Sequence, residues 1–86
     1  MQDAHAAFRE RLNKEYSWPA LYMFKFIAPA ERQKDIVNLF PGEKVMCRHS
    51  VKGNYISITV TLQMASADTI IAVYEKVARI PGIIAL

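Results

Sequence analysis

The chain has 86 residues, 52% of them apolar and 22% charged, with a net charge of +3. That makes one small domain near the lower limit of unaided folding, and its single cysteine, Cys47, excludes an internal disulfide and every multi-cysteine metal site. The charge is too slight to mark a dedicated nucleic-acid binder, no apolar run approaches a membrane span, and the polar start lacks a signal-peptide core, so a cytoplasmic protein is expected.

A first helix is predicted from a cap at Asp3 to about Tyr16, because an aspartate accepts hydrogen bonds from the unpaired N–H groups of a first turn. Its apolar stripe is thin, Phe8 and Leu12 joined by Tyr16, with Arg9, Glu10, Arg11, Lys14 and Glu15 around it. Residues 1–16 therefore read as a helical extension lying on the domain surface or serving a partner chain. Ser17-Trp18-Pro19 breaks it, since the residue before a proline is pushed toward extended geometry.

Leu21 to Ile27 alternates as a first strand, with Tyr22, Phe24 and Phe26 on the core face and Met23 and Lys25 opposite. Ala28-Pro29 ends it, and Pro29 is placed in the first turn of a second helix, where its missing N–H costs nothing. That helix is expected to run to about Leu39 and to bury Ile36, Val37, Leu39 and Phe40 before Pro41-Gly42 stops it. Lys44 to Ser50 reads as a shorter strand with Val45 and Cys47 inward and Met46, Arg48 and Ser50 outward.

A turn at Lys52-Gly53-Asn54 leads into the clearest signal of the chain. From Tyr55 to Met64, polar and apolar residues alternate without a break. Ile56, Ile58, Val60, Leu62 and Met64 point to a core, and Tyr55, Ser57, Thr59, Thr61 and Gln63 point away from it. Ser66 caps a last helix with Asp68 in its first turn, and Ile70, Ile71, Tyr74, Val77 and Ala78 form its apolar stripe. Pro81-Gly82 ends that helix, and Ile83 to Leu86 makes a short final strand.

Residues 17–86 thus run strand, helix, strand, strand, helix, strand. Two crossovers of the same hand place both helices on one face of a four-stranded antiparallel sheet, a ferredoxin-like α+β domain. The opposite sheet face is left uncovered, and function is to be sought there.

Trp18-Pro19 followed by Tyr22 to Ile27, the Ser50-x-x-Gly53-Asn54-Tyr55-x-Ser57 element and the terminal Ile83-Ile84-Ala85-Leu86 resemble the YbeD-like family of small bacterial proteins of unknown function. The family is similar in fold to ACT-type regulatory domains, which implies small-molecule sensing or dimerisation rather than catalysis. Ala28-Pro29-Ala30 stands where ACT domains carry a glycine-containing ligand loop, so the resemblance does not extend to amino-acid binding of that kind.

The residues themselves assemble no reaction. Cys47 and His49 share a strand face, but their backbones stand about 6.5–7 Å apart, too far for a thiol–imidazole hydrogen bond, and zinc needs further ligands. Acylphosphatases share the topology but need a glycine-rich phosphate loop in the place of Ala28-Pro29-Ala30. No catalytic residue, metal or cofactor is expected.

Lys44, Arg48, His49 and Lys52 form the one basic concentration, which discourages edge pairing between molecules. A sharper reading joins Lys25, Arg48 and Lys52 with Ser50, Tyr55 and Ser57 as a ligand site for a small anion on the open face, because arginine supplies a planar fork and lysine a point charge. Lys52-Gly53-Asn54-Tyr55 also echoes the central motif of RNA-recognition domains, but its aromatic comes one position late and stands alone.

The leading expectation is a non-catalytic regulatory or protein-interaction module acting through its open face as a homodimer or with another protein. The alternative is a binder of small anions or single-stranded RNA through the basic hairpin.

Overall fold

The computed structural model describes residues 4–86. Asp3, the expected cap of the first helix, lies outside them. The elements are α1 (Ala6–Glu15), β1 (Ala20–Pro29), a 3-10 turn (Ala30–Arg32), α2 (Gln33–Val37), β2 (Met46–His49), β3 (Tyr55–Met64), α3 (Ala67–Val77) and β4 (Ile84–Ala85). The strands form one antiparallel sheet in the order β2-β3-β1-β4. This is the ferredoxin-like α+β arrangement with an added N-terminal helix.

The long alternating segment organises the sheet. Over its whole length β3 pairs with β1, Ala20 opposite Met64 and Pro29 opposite Tyr55. This register sets the inward β3 residues Ile56, Ile58 and Val60 beside Phe24, Phe26 and Ala28 of β1, all buried. Ile36 of α2 and Ile70, Ile71 and Val77 of α3 close the core from the helical side. Phe24 and Phe26 are fully buried, and Phe24 meets the rings of Tyr22, Phe40 and Tyr74 at centroid distances of 4.8, 6.2 and 5.4 Å. Leu62 is only half-buried, packed against the core, whereas Met64 at the end of the strand is buried.

Several boundaries differ from expectation. Pro29 closes β1 and stands just outside the 3-10 turn, since Ala30 still donates its N–H to the Asn54 carbonyl at 2.9 Å and so prolongs the ladder with β3. The second helix keeps regular α geometry only to Val37, and Leu39 and Phe40 follow in a tighter turn that still buries Phe40. β2 is restricted to Met46–His49, with Val45 still packed against the core. Ala78 is exposed, because it lies past the last regular turn of α3 as its C-cap. Ala67, absent from the predicted stripe, is buried at the other end of that helix.

Two predicted punctuation points take the expected form. Ser66 Oγ accepts from the Thr69 N–H at 3.3 Å, and Thr69 Oγ1 accepts from the Ser66 N–H at 3.2 Å, a reciprocal capping box. At the hairpin, Gly53 has φ of +76° and donates its N–H to the Ser50 carbonyl at 2.9 Å, a conformation that side chains other than glycine's oppose. The Ser50 hydroxyl accepts from the Tyr55 N–H at 3.2 Å and secures the far side of the turn.

The leading helix is docked. Leu12 is buried, Phe8 meets Tyr74 edge-on at 5.7 Å, and the Arg9 guanidinium holds the Asp68 carboxylate at 2.6 Å. Phe8 and Arg9 attach α1 to α3, and Leu12, the other residue of the thin stripe read from the sequence, enters the buried core.

Candidate functional site

The helices occupy one face of the sheet and leave the other open. In β1, alternation sends Leu21, Met23, Lys25 and Ile27 to the open face. The register places Gln63, Thr61, Thr59 and Ser57 of β3 opposite them, and Met46 and Arg48 of β2 beyond Thr59 and Ser57. On the other flank, Ile84 of β4 pairs with Ile27. The face is thus apolar toward β1 and β4, hydroxyl-rich along β3 and cationic toward β2.

Among the described residues, every exposed large apolar side chain except Val51 belongs to this face or its rim. Leu21 is 68% exposed, Ile84 60% and Met46 62%. No acidic side chain falls in any strand, whereas Lys25, Arg48 and His49 do. Among the described residues neither Lys25 nor Arg48 has an ion-pair partner. The carboxylates are confined to helices and connections, so the uncovered face carries positive charge uncompensated from within the sheet.

The six residues singled out from the sequence fall into adjoining hollows rather than one pocket. Lys25, Arg48 and Ser57 line a shallow depression of about 360 Å³ with Met46, Cys47 and Thr59. Arg48 and Ser57 are shared with a second depression of about 340 Å³, which adds Ser50 and Tyr55. Lys52 lies beyond, at the turn with Ser50, Val51, Asn54 and Tyr55, and does not share a hollow with Lys25. The chemistry that converges is therefore one lysine, one arginine and the hydroxyls of Ser57 and Thr59, a set able to hold a small anion by charge-assisted hydrogen bonds.

Other candidate chemistry is not assembled. Cys47 is half-buried opposite Ile58, and His49 is exposed opposite Ile56. Among the described residues no group of three or more His, Cys, Asp or Glu side chains is placed to hold a metal ion. Phe24 and Phe26 are buried beneath the sheet, which leaves Tyr55, 54% exposed, as the aromatic ring on the open side. A stacking platform of the RNA-recognition kind needs more than that.

Two features had no usable sequence signal. A hollow of about 510 Å³ lies on the helical side between α3 and β4, where Tyr74, Glu75, Arg79 and Ile83 meet His5. Its residues come from three separate segments, and its two charges oppose each other. Above it, the Tyr22 and Tyr74 hydroxyls are 2.9 Å apart. Burial, reinforced by that hydrogen bond, pushes the Tyr74 phenol well above its ordinary range, so the group stays neutral.

Among the described residues no helix is long and apolar enough to cross a membrane. A family model described as "Protein of unknown function (DUF493)" matches residues 13–86. No curated protein and no solved structure matches the chain.

Proposed function

Since the chain belongs to the DUF493 family of proteins of unknown function, we propose that it is a non-catalytic regulatory or interaction module that works through its open sheet face, as a homodimer. The observation that carries this reading is the concentration of exposed apolar side chains on one uncovered face that also bears Lys25 and Arg48. Antiparallel sheets tolerate a solvated face, but such a face ordinarily presents polar residues, and clustered exposed apolar side chains mark interaction surfaces. The regulatory element of the reading rests on the likeness of this topology to ACT-type domains, an analogy at the level of fold.

Photo-crosslinking in native lysate tests the face. A photoreactive residue at position 59 sits on it, and one at position 75 sits on α3. The reading expects a discrete adduct from position 59 alone, lost when Arg48→Glu and Met46→Asp are introduced. Adducts of the same pattern from both positions, or from neither, would overturn it. Sedimentation of the purified protein at high micromolar concentration tests the dimer, and a single monomeric species would remove that half of the reading.

A second reading is favoured by the hollow that joins Lys25, Arg48, Ser57 and Thr59. On it the face holds a small anion, such as a phosphate or carboxylate group, with single-stranded RNA as the larger ligand of the same charge. Binding would weaken steeply with added salt. Binding of a phosphorylated nucleotide that is indifferent to Arg48→Ala, or none at low salt, would dispose of it.

A further inference from the structure

The pairing register grades the open face from strand to strand. On β1 the open-face line is Leu21, Met23 and Lys25, all exposed, followed by half-buried Ile27. On β3 it is Ser57, Thr59 and Thr61, and on β2 it is Met46 and Arg48. Lys25, Thr59 and Met46 form one row across the three strands, and Ile27, Ser57 and Arg48 form the next. Adjacent strands lie about 4.8 Å apart, so aliphatic contact gives way to hydroxyl donors and then to a guanidinium within roughly 10 Å. Lys25 and Arg48 border the same hollow, with Ser57 and Thr59 of β3 between them.

Among the described residues no strand carries a carboxylate to answer those two cations. The described acids lie in helices, in the 3-10 turn or in the connection ahead of β2, and Glu10, Asp35 and Asp68 already meet cations of their own. A second copy pressed face to face would set Lys25 and Arg48 against the same pair, because a two-fold interface repeats one patch. A nucleic acid would find two cations and one exposed ring, Tyr55, short of the phosphate contacts and stacking platforms that hold it. Exposed Leu21 and Met23 call instead for aliphatic contact beside the anion. The complement is a protein surface that is apolar on one side and acidic on the other. A lone strand would seek a sheet edge to satisfy its backbone, so the single segment that covers a sheet face is a helix.

We propose that the open face docks an acidic amphipathic helix of another protein. This names the partner of the open-face reading above and rests on it; the homodimer half of that reading is left to a different surface. The helix lies along β1 with its apolar stripe on Leu21, Met23 and Ile27. With side chains it is about 10–12 Å across, so its flank overlies β3, where Ser57 and Thr59 donate hydroxyl hydrogen bonds to its carboxylates. Glutamates one turn apart reach Lys25 and Arg48 from there, the lysine acting as a point charge and the arginine as a two-pronged donor. Apolar contact supplies affinity, and the one-sided charge fixes which flank of the helix faces β2.

Three synthetic helical peptides test the docking directly. Two share a leucine stripe and carry glutamates or lysines on one flank, and the third keeps the glutamates but has serines in the stripe. The glutamate–leucine peptide should bind at least about tenfold more tightly than either of the others and should shift amide signals in residues 21–27, 46–48 and 57–61. Arg48→Glu and Met23→Asp, exposed substitutions whose own amide spectra report a folded domain, should each weaken it about tenfold or more. Equal binding of the glutamate and lysine peptides, or of the leucine and serine stripes, would overturn the proposal, as would binding indifferent to both substitutions. The position-59 crosslink separates this outcome from the reading beneath it. An attached segment that is acidic, amphipathic and from another protein supports both. An adduct with a second copy of this chain, or one removed by nuclease, leaves the open face in use and the proposal wrong, and no adduct defeats both.

Discussion

The hydroxyls of Tyr22 and Tyr74 stand 2.9 Å apart, joining the first strand to the last helix across the edge of the core. Their rings cross nearly at right angles, with 89° between planes and 6.3 Å between centroids. The pair closes the aromatic cluster that Phe8, Tyr16 and Phe24 build around it. A half-buried phenol in such surroundings holds its proton in the folded state more tightly than in the unfolded chain.

Stability should therefore fall at alkaline pH. Tyr74 has its folded pKa raised above the unfolded value of 10.0. Its contribution is complete below pH 10 and is lost above it, where the unfolded chain releases a proton that the folded chain retains. Tyr74→Phe should cost about 1 kcal/mol near neutral pH through the lost hydrogen bond and should flatten the decline above pH 10. Denaturant melts of parent and variant from pH 8 to 11 measure both effects.

The hairpin turn gives a test of the sheet register. Gly53 sits at positive φ with nothing within 4 Å of an added Cβ, so the penalty there is backbone strain alone. Gly53→Val should cost about 1–3 kcal/mol, while Lys52→Ala, on the turn surface, should cost less than about 0.5 kcal/mol. Equal melting of the two variants would place the turn elsewhere.

Gly82 combines strain with contact. Its φ is +78°, and an added Cβ would stand 3.0 Å from Cγ of Pro29. Gly82→Ala should therefore destabilise more than Gly53→Ala, each carrying roughly 1 kcal/mol or more of strain. Thermal melts of the two alanine variants compare them directly, and the reverse order would show that the end of β1 and the start of β4 separate readily.

The capping box isolates a local term. Ser66→Ala removes the acceptor for the Thr69 N–H and should cost about 1 kcal/mol, without altering the open face. Chemical denaturation reads the loss, and an unchanged midpoint would mean that the first turn of α3 is held by packing of Ala67 and Ile70 instead.

Anion binding, if it occurs at the face, should depend on Arg48 more than on Lys52. Arg48 lines both hollows along β2 and β3, whereas Lys52 lies at the turn. Titration with a phosphorylated nucleotide at low salt should weaken at least about tenfold for Arg48→Ala, as expected when a charge-assisted pair is lost, and little for Lys52→Ala. Equal losses would point to diffuse attraction rather than a site.

Much of this architecture was legible from side-chain period. Ile56, Ile58 and Val60 alternate with Ser57, Thr59 and Thr61, and a strand's side chains can only alternate, so both faces of the sheet followed from the order of residues. Phe24 and Phe26 followed in the same way from Lys25 between them. Boundaries were less legible. Pro29 suits a helix start by its own geometry, yet the strand runs through it because a cross-strand bond at Ala30 holds the backbone extended.

The sequence by itself determined which way the side chains of the long strands point, because period, turn glycines and capping residues are local and need no distant partner. Tertiary structure alone decided what each of them meets. Lys25 and Arg48 share a hollow only because β1 and β2 pair with opposite sides of β3 in one particular register. β4 lies beside β1, at Phe26 and Ile27, only because the chain returns to the sheet after α3 on the side away from β3. The pairing of β1 with β4 joins segments some sixty residues apart, and no local pattern specifies how far two strands will run together.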